Sequence, residues 1–242
     1  MKSIIVTGAS AGIGQAVAER FLSGGWRVGL LARRAEVLDE MAAGQEGAVV
    51  LPADVGDPAA VQAAFDTFAA RAGRIDVLFN NAGIFTPAAP IDEVPLSDWD
   101  KAVRVNLSGM VYCARAAFGQ MRRQDPLGGR IINNGSISAH VPREGAVTYT
   151  VTKHGITGLT RQLALDGRAF GIACGQIDIG NAMTDLLAGI AERARAEGQP
   201  EPPSFDVAHV AEAVWQMAAL PPEANTLFQT IMATKMPYVG RG

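Results

Sequence analysis

Tyr149 and Lys153 are four residues apart. In a helix that spacing puts both side chains on one face. An ammonium beside a phenol favours the phenolate and lowers its pKa from about 10. Bringing the phenol close to neutrality corresponds to about 4 kcal/mol of differential stabilisation. A tyrosine tuned in this way exchanges a proton with an alcohol. Tyr-x-x-x-Lys is common on helix surfaces, so the pair gains its weight from what precedes it. The run Thr7-Gly8-Ala9-Ser10-Ala11-Gly12-Ile13-Gly14 follows a short apolar stretch and opens a helical pattern. Its glycines permit a tight turn and a close approach to a pyrophosphate, and the helix N-terminus offers unpaired N–H groups. The spacing is G-x-x-x-G-x-G, not G-x-G-x-x-G, and no Gly-Lys-Ser/Thr follows as a P-loop requires. Arg33 and Arg34 stand at the end of the second apolar run. A carboxylate there would bond the ribose 2′-hydroxyl of NAD, whereas arginine suits the 2′-phosphate of NADP. Read blandly, the two arginines are a solvated pair, yet cations at a helix start are mildly unfavourable. NADP(H) is therefore favoured over NAD(H).

These residues need elements to position them. Short apolar runs at 3–7, 27–32, 48–51, 75–80, 130–134 and 172–177, with a weaker one at 226–231, read as strands. Most lack alternation, as strands covered on both faces do. Helical patterns fill the gaps. Asp57 as N-cap, Pro58 at N1 and Gly73 as the stop bracket one helix. Ser97-Asp98-Trp99-Asp100 opens a long one, with Val103, Leu107, Met110 and Val111 expected on its inner stripe. Residues 147–170 form another, with Ile156, Leu159 and Leu163 facing inward. Strand and helix alternating throughout predict a doubly wound parallel α/β fold of Rossmann type in one domain over 1–242. Residues 183–206 are expected to form a substrate lid, with the polar stretch 192–206 as a mobile insertion.

Composition removes several classes of function. The chain has 242 residues, 48% hydrophobic, and a net charge of −3. That length can bury a substantial core. No Lys/Arg cluster points to nucleic acid or an anionic membrane. No apolar run approaches the roughly 20 residues of a membrane span, and the first residues lack a signal-peptide pattern. Cys113 and Cys174 lack metal-ligand spacing and read as buried free thiols. A cytoplasmic setting suits them, and no His/Asp/Glu cluster suggests a metal.

Taken together, the motifs resemble the short-chain dehydrogenase/reductase family in its short single-domain branch. The resemblance rests on Thr7-Gly8-x-x-x-Gly12-Ile13-Gly14, Asp54-Val55, Asn80-Asn81-Ala82-Gly83, Asn106, Ser136 and Tyr149-x-x-x-Lys153, in order over about residues 1–180. It implies an oxidoreductase that interconverts a carbonyl and a secondary alcohol of a small molecule. Gly8, Ser10, Gly12, Ile13 and Gly14 would hold the pyrophosphate, Arg33 and Arg34 the 2′-phosphate, and Asp54 and Val55 the adenine. Asn81, Ala82 and Gly83 would lie along the cofactor, with the Asn80-Asn81 turn bracing the sheet. Tyr149 would be the acid/base. Lys153 would bind the nicotinamide ribose and depress Tyr149. Ser136 would bond the substrate oxygen. Asn106 would kink its helix and hold a water that extends a proton relay. Ser136 lies thirteen residues before Tyr149, the family's usual interval, and Ser138, eleven before it, would line the pocket. A homodimer or homotetramer is implied, paired through helices 97–124 and 147–170.

Two segments depart from the pattern. Ile179 stands where the family usually has proline, in Asp178-Ile179-Gly180-Asn181-Ala182-Met183-Thr184; Gly180 and Thr184 are kept. This segment, Ile179 and Thr184 included, would touch the nicotinamide carboxamide. The chain also ends in Lys235-Met236-Pro237-Tyr238-Val239-Gly240-Arg241-Gly242, to which no role is assigned. Phe85, Pro87, Val141, Pro142 and Ile179 are candidates for an apolar pocket, with Arg143, Glu144 and His140 as polar features. A catalytically silent NADP(H)-binding regulator on the same fold is the alternative, and the presence of Ser136, Tyr149 and Lys153 argues against it. A methyltransferase on a nucleotide fold would leave those three unexplained.

Overall fold

The computed structural model describes residues 1–239; the last three residues of the tail lie outside it. Seven parallel strands among the described residues form one sheet: β1 (Ser3–Thr7), β2 (Arg27–Ala32), β3 (Ala48–Pro52), β4 (Val77–Asn80), β5 (Gly129–Asn134), β6 (Ile172–Ile179) and, numbered β9 in chain order, Phe228–Ile231. Their spatial order is β3-β2-β1-β4-β5-β6-β9. The order reverses between β1 and β4, and a crevice opens there at the carboxyl ends of the strands.

Helices cover both faces, which is why the strands read as unbroken apolar runs. Alternate residues of one strand enter opposite cores. Ile4 and Val6 join the core under α1 (Gly12–Ser23) and α8 (Ala208–Ala219). Ile5 joins the core under α3 (Pro58–Ala72) and α5 (Met110–Met121). Cys113 and Cys174 are free and buried in that second core. α2 (Ala35–Ala42) follows β2. Asp57 caps α3 by accepting from the Ala59 and Ala60 N–H groups, Pro58 opens it, and Gly73 ends it in the left-handed conformation.

Three expectations are corrected. The helix expected from Ser97 begins as α4 (Leu96–Ala102) and widens into a π-helical segment, Val103–Gly109, before α5. The extra residue in the wide turn rotates the following face by about 100°, so Val111 is exposed and Val105, Asn106, Gly109, Met110 and Cys113 are buried. In α6 (Val147–Asp166) Ile156 is buried and Leu163 packs against the second core, but Leu159 is only half-buried, and the helix rests on Thr152, Lys153, Thr157 and Thr160. It stands over polar strand ends, Asn133 and Asn134 of β5 and Gln176 and Asp178 of β6, so its inner face is polar. The polar stretch 192–206 is tied down at several points. It continues α7 (Asp185–Ala196) and returns as β8 (Phe205–Asp206), which pairs with β7 (Ala182–Met183). Arg195 pairs with Glu201, and the Asn181 amide donates to Pro203 O.

Candidate active site

The glycine turn follows β1 into α1. Gly8 and Gly12 have φ of 70° and 55°, in the left-handed region that disfavours a side chain. A Cβ at Gly14 would overlap the Gly8 carbonyl oxygen, so the first turn of α1 sits directly on the loop. Ala11 at the N-cap has no side chain to satisfy the N–H groups of that turn. An unfilled cradle of this kind fits the pyrophosphate of a dinucleotide. Thr7 Oγ1 accepts from the Asn81 and Ala82 N–H groups, and the Asn81 amide donates to Thr7 O and accepts from Asn134 Nδ2. Asn80 Nδ2 donates to Met110 O and to Asn133 Oδ1 across the sheet. The loop after β4 is thereby fixed beside the glycine turn.

A cavity of about 880 Å³ runs from this turn to α7. Every residue expected to bind the cofactor or act in catalysis lines it except Gly14, which is packed beneath the loop, and Asn106. At the far end, Arg33 has no hydrogen-bond partner among the described residues, whereas Arg34 Nη2 donates to Ser10 O and Oγ at 2.8 and 3.1 Å. Partial burial works to raise the Asp54 pKa. The Gly56 N–H, Arg104 and the charge of Arg33 outweigh it and hold the carboxyl below its usual range. Lys101 and Arg104 also line this end; neither was expected, and both follow Trp99-Asp100 on the helix.

At the other end Tyr149 and Lys153 share one face of α6, with the Lys153 ammonium 5.4 Å from the phenol ring. That ammonium donates to Asn134 O at 2.7 Å. Burial pushes Lys153 down to about 8, against the charge of Asp178. Burial also raises the Tyr149 phenol above its ordinary value; the Ser136 hydroxyl and Arg143 oppose this, and Asp178 adds to it. The depression of Tyr149 by Lys153 expected from spacing is therefore not what the chain's own groups produce. Ser136 is buried and lines the cavity, and its hydroxyl accepts from the Ser138 N–H at 3.1 Å. Phe85 stacks on Tyr149 with ring centroids 4.5 Å apart.

Asn106 lies in the π-helical segment. Its side chain is committed to Ile84, donating to the carbonyl and accepting from the N–H. The Met110 N–H bonds Leu107 O in place of Asn106 O, the partner it would have in an α-helix. The kink expected at Asn106 coincides with this π-helical segment.

Beyond Tyr149 the wall is formed by Phe85, Ile179, Leu186, Leu187, Ile190 and Met236. Ile179 prolongs β6 in register with Ile231, where a proline would interrupt the ladder. Met236 gives the C-terminal segment a place on the cavity. Of the polar candidates, Arg143 lines it; Glu144 and His140 do not, nor do Pro87, Val141 and Pro142. Arg143 and Arg193 have no carboxylate within 4.0 Å among the described residues. Also among the described residues, no group of acidic, His and Cys side chains is arranged to hold a metal, and no helix is long and apolar enough to cross a membrane.

The short chain dehydrogenase family matches residues 2–195 of the sequence. The chain belongs to the short-chain dehydrogenases. This short-chain dehydrogenase is 36% identical to the D-threitol dehydrogenase of Mycolicibacterium smegmatis over 76% of its own length and 72% of that protein. It is 34% identical to the cis-4-hydroxycyclohexanecarboxylate dehydrogenase of Sinomonas cyclohexanicum, covering 89% of this chain and 88% of the other. The closed form of a serine dehydrogenase complexed with NADP+ superposes with a TM-score of 0.88 over 99% of this short-chain dehydrogenase and 98% of that chain, at 26% identity.

Proposed function

We propose that the protein is an NADP(H)-dependent oxidoreductase that interconverts a carbonyl and a secondary alcohol on a small molecule. The observation that carries this reading is one continuous cavity, lined at one end by the glycine turn with Arg33 and Arg34 and at the other by Ser136, Tyr149 and Lys153. The NADP+ of the superposed serine dehydrogenase supports the cofactor. So does the second strand end, which carries two arginines and no carboxylate.

When bound, the cofactor's nicotinamide would supply or take the hydride. Gly8, Ser10, Gly12 and Ile13 bind the pyrophosphate, and Arg33 bonds the 2′-phosphate. Asp54 and Val55 would hold the adenine, Asn81, Ala82 and Gly83 would lie along the cofactor, and Ile179 and Thr184 would hold the nicotinamide, all of them lining the cavity. Tyr149 gives a proton to the substrate oxygen in reduction and takes it in oxidation, while the Ser136 hydroxyl bonds that oxygen. Lys153 holds the ribose, and the Asn106 carbonyl offers a water the next place in the relay. α7, with Leu186, Leu187 and Ile190 toward the cavity, acts as the substrate lid. Val111 on α5 and Val151 and Leu165 on α6 are exposed and apolar, which supports self-association through that face.

Tyr149→Phe tests the reading. It keeps the ring and its stacking on Phe85 and deletes the hydroxyl. The expected result is unchanged NADPH binding and a loss on the order of 10²-fold or more in turnover with a substrate found by screening alcohols and carbonyls. Near-normal turnover would mean that another group moves the proton.

A further inference from the structure

Asp178 is completely buried near the end of β6 and is not part of the cavity wall. An unpaired carboxylate in such a place is strongly destabilising, and the fold surrounds this one with donors. Oδ1 accepts from the Ser136 N–H at 2.9 Å and from Gln176 Nε2 at 2.7 Å. Oδ2 lies 2.8 Å from His140 Nε2. A Cβ on Gly135 would overlap Oδ1, so the main chain entering Ser136 is drawn tightly over the carboxylate. His140 ends the short 3-10 turn after Ser136; its side chain is 39% exposed and does not line the cavity. Gln176 continues the network by donating to Thr157 and accepting from Thr160, which in turn accepts from Asn133. The charged or titratable groups that face Asp178 are His140 from the turn and Tyr149 and Lys153 from α6; its neighbours on β6 and β9 are neutral.

We propose that Asp178 is a positioning residue for the reaction: it fixes the main chain at Ser136, sets the charge balance of the Tyr149–Lys153 pair from behind the cavity, and is linked to solvent through His140. The inference rests on the reading of Tyr149 as the acid/base. Its geometry is the direct bond to the backbone of Ser136, the residue whose hydroxyl faces Tyr149. Its electrostatics point the same way, since the Asp178 charge acts to raise both Tyr149 and Lys153. Local pattern does not reveal the arrangement, because His140 and Asp178 are 38 residues apart and meet only through the β5–β6 pairing.

Asp178→Asn isolates the charge. The remaining oxygen can accept from Ser136 and Gln176, and the amide can donate to His140 in its other tautomer, so each hydrogen bond has a neutral equivalent. The pH profile of oxidative kcat/KM and the pH dependence of NADPH affinity are measured on wild type, Asp178→Asn and His140→Lys. The lysine puts a permanent cation against the carboxylate from an exposed position, so it serves if the asparagine variant does not fold. In both variants the ascending limb of the oxidative rate profile should move to lower pH by about half a unit or more, because a field that raises Tyr149 has been removed or cancelled. The decline of NADPH affinity with rising pH should also begin earlier, because Lys153 loses its counter-charge. Folded variants whose two profiles superimpose on wild type would overturn the inference, whatever their turnover or melting temperature. Tyr149→Phe is run alongside: retained turnover there sinks the acid/base reading, whereas an inactive Tyr149→Phe with unshifted Asp178→Asn and His140→Lys profiles sinks only the role of Asp178.

Discussion

The Lys153 ammonium is bonded to the main-chain carbonyl of Asn134, 2.7 Å away, and not to the Tyr149 hydroxyl one turn earlier on the same helix. The last residues of β5 therefore hold the cation in place, and α6 delivers it to the cavity from below.

Lys153→Met should weaken NADPH binding, since the ammonium that holds the ribose is gone. It should also change stability in a pH-dependent way. The folded pKa of Lys153 is lowered to about 8 from 10.5. Below pH 8 the ammonium is charged in both states, and the cost of burying it is fully present. Between about 8 and 10.5 the unfolded chain binds the extra proton, so this residue's contribution to stability improves as pH rises. The melting temperature of wild type minus that of Lys153→Met should thus increase from pH 7.5 to 9.5. The difference cancels the opposite trend from Cys113 and Cys174, which burial pushes up to about 12 in both proteins. A difference that is flat with pH would mean the buried lysine is not displaced from its ordinary value.

The two arginines after β2 should separate in their effects. Arg33 has no hydrogen-bond partner among the described residues, so Arg33→Ala should weaken NADPH by roughly 1.5–3 kcal/mol and leave NADH nearly unchanged. Arg34 braces the glycine turn through Ser10, so Arg34→Ala should weaken both cofactors. Titration calorimetry with NADPH and NADH on the two variants checks this. Equal losses for both cofactors in Arg33→Ala would contradict the 2′-phosphate assignment.

Ser136→Ala should lower turnover strongly while NADPH affinity stays close to wild type, because the lost hydroxyl serves the substrate oxygen and the Ser138 N–H. Ser138 is different: its hydroxyl is buried with no hydrogen-bond partner among the described residues. Removing an unpaired hydroxyl costs little, so Ser138→Ala should leave the melting temperature within a few degrees of wild type and act mainly on KM. Steady-state kinetics on the two variants would reveal a reversed assignment directly.

Gly14→Ala tests the cradle. The added methyl would collide with the Gly8 carbonyl, which is main chain and cannot rotate away. Loss of dinucleotide binding together with a lower melting temperature is expected. A variant that binds NADPH normally would show that the turn has room to relax.

Much of the site follows from local physics and so is legible in the sequence. Strands buried on both faces must be apolar at every position, which reveals the parallel sheet. The Asp57-Pro58 start and the Gly73 stop are complete within one segment, as are the glycine turn and the helical spacing of Tyr149 and Lys153. Phase is harder to read: the π-helical segment around Asn106 shifts the buried face, so of the expected stripe Met110 is buried while Val111 points outward. Partnership is harder still. Neither the Lys153–Asn134 bond, nor the grip of Arg34 on Ser10, nor the seating of Asp178 between Ser136 and His140 can be read locally, because each joins separate elements. They arise from which strand lies beside which and in what register, with Asn133 opposite Gln176 and Asn134 opposite Ile177. The sequence alone determined the set of chemical groups and the fold that gathers them. The tertiary structure alone decided which buried charge faces which donor, because a desolvated ion is satisfied only by atoms within hydrogen-bond reach in space.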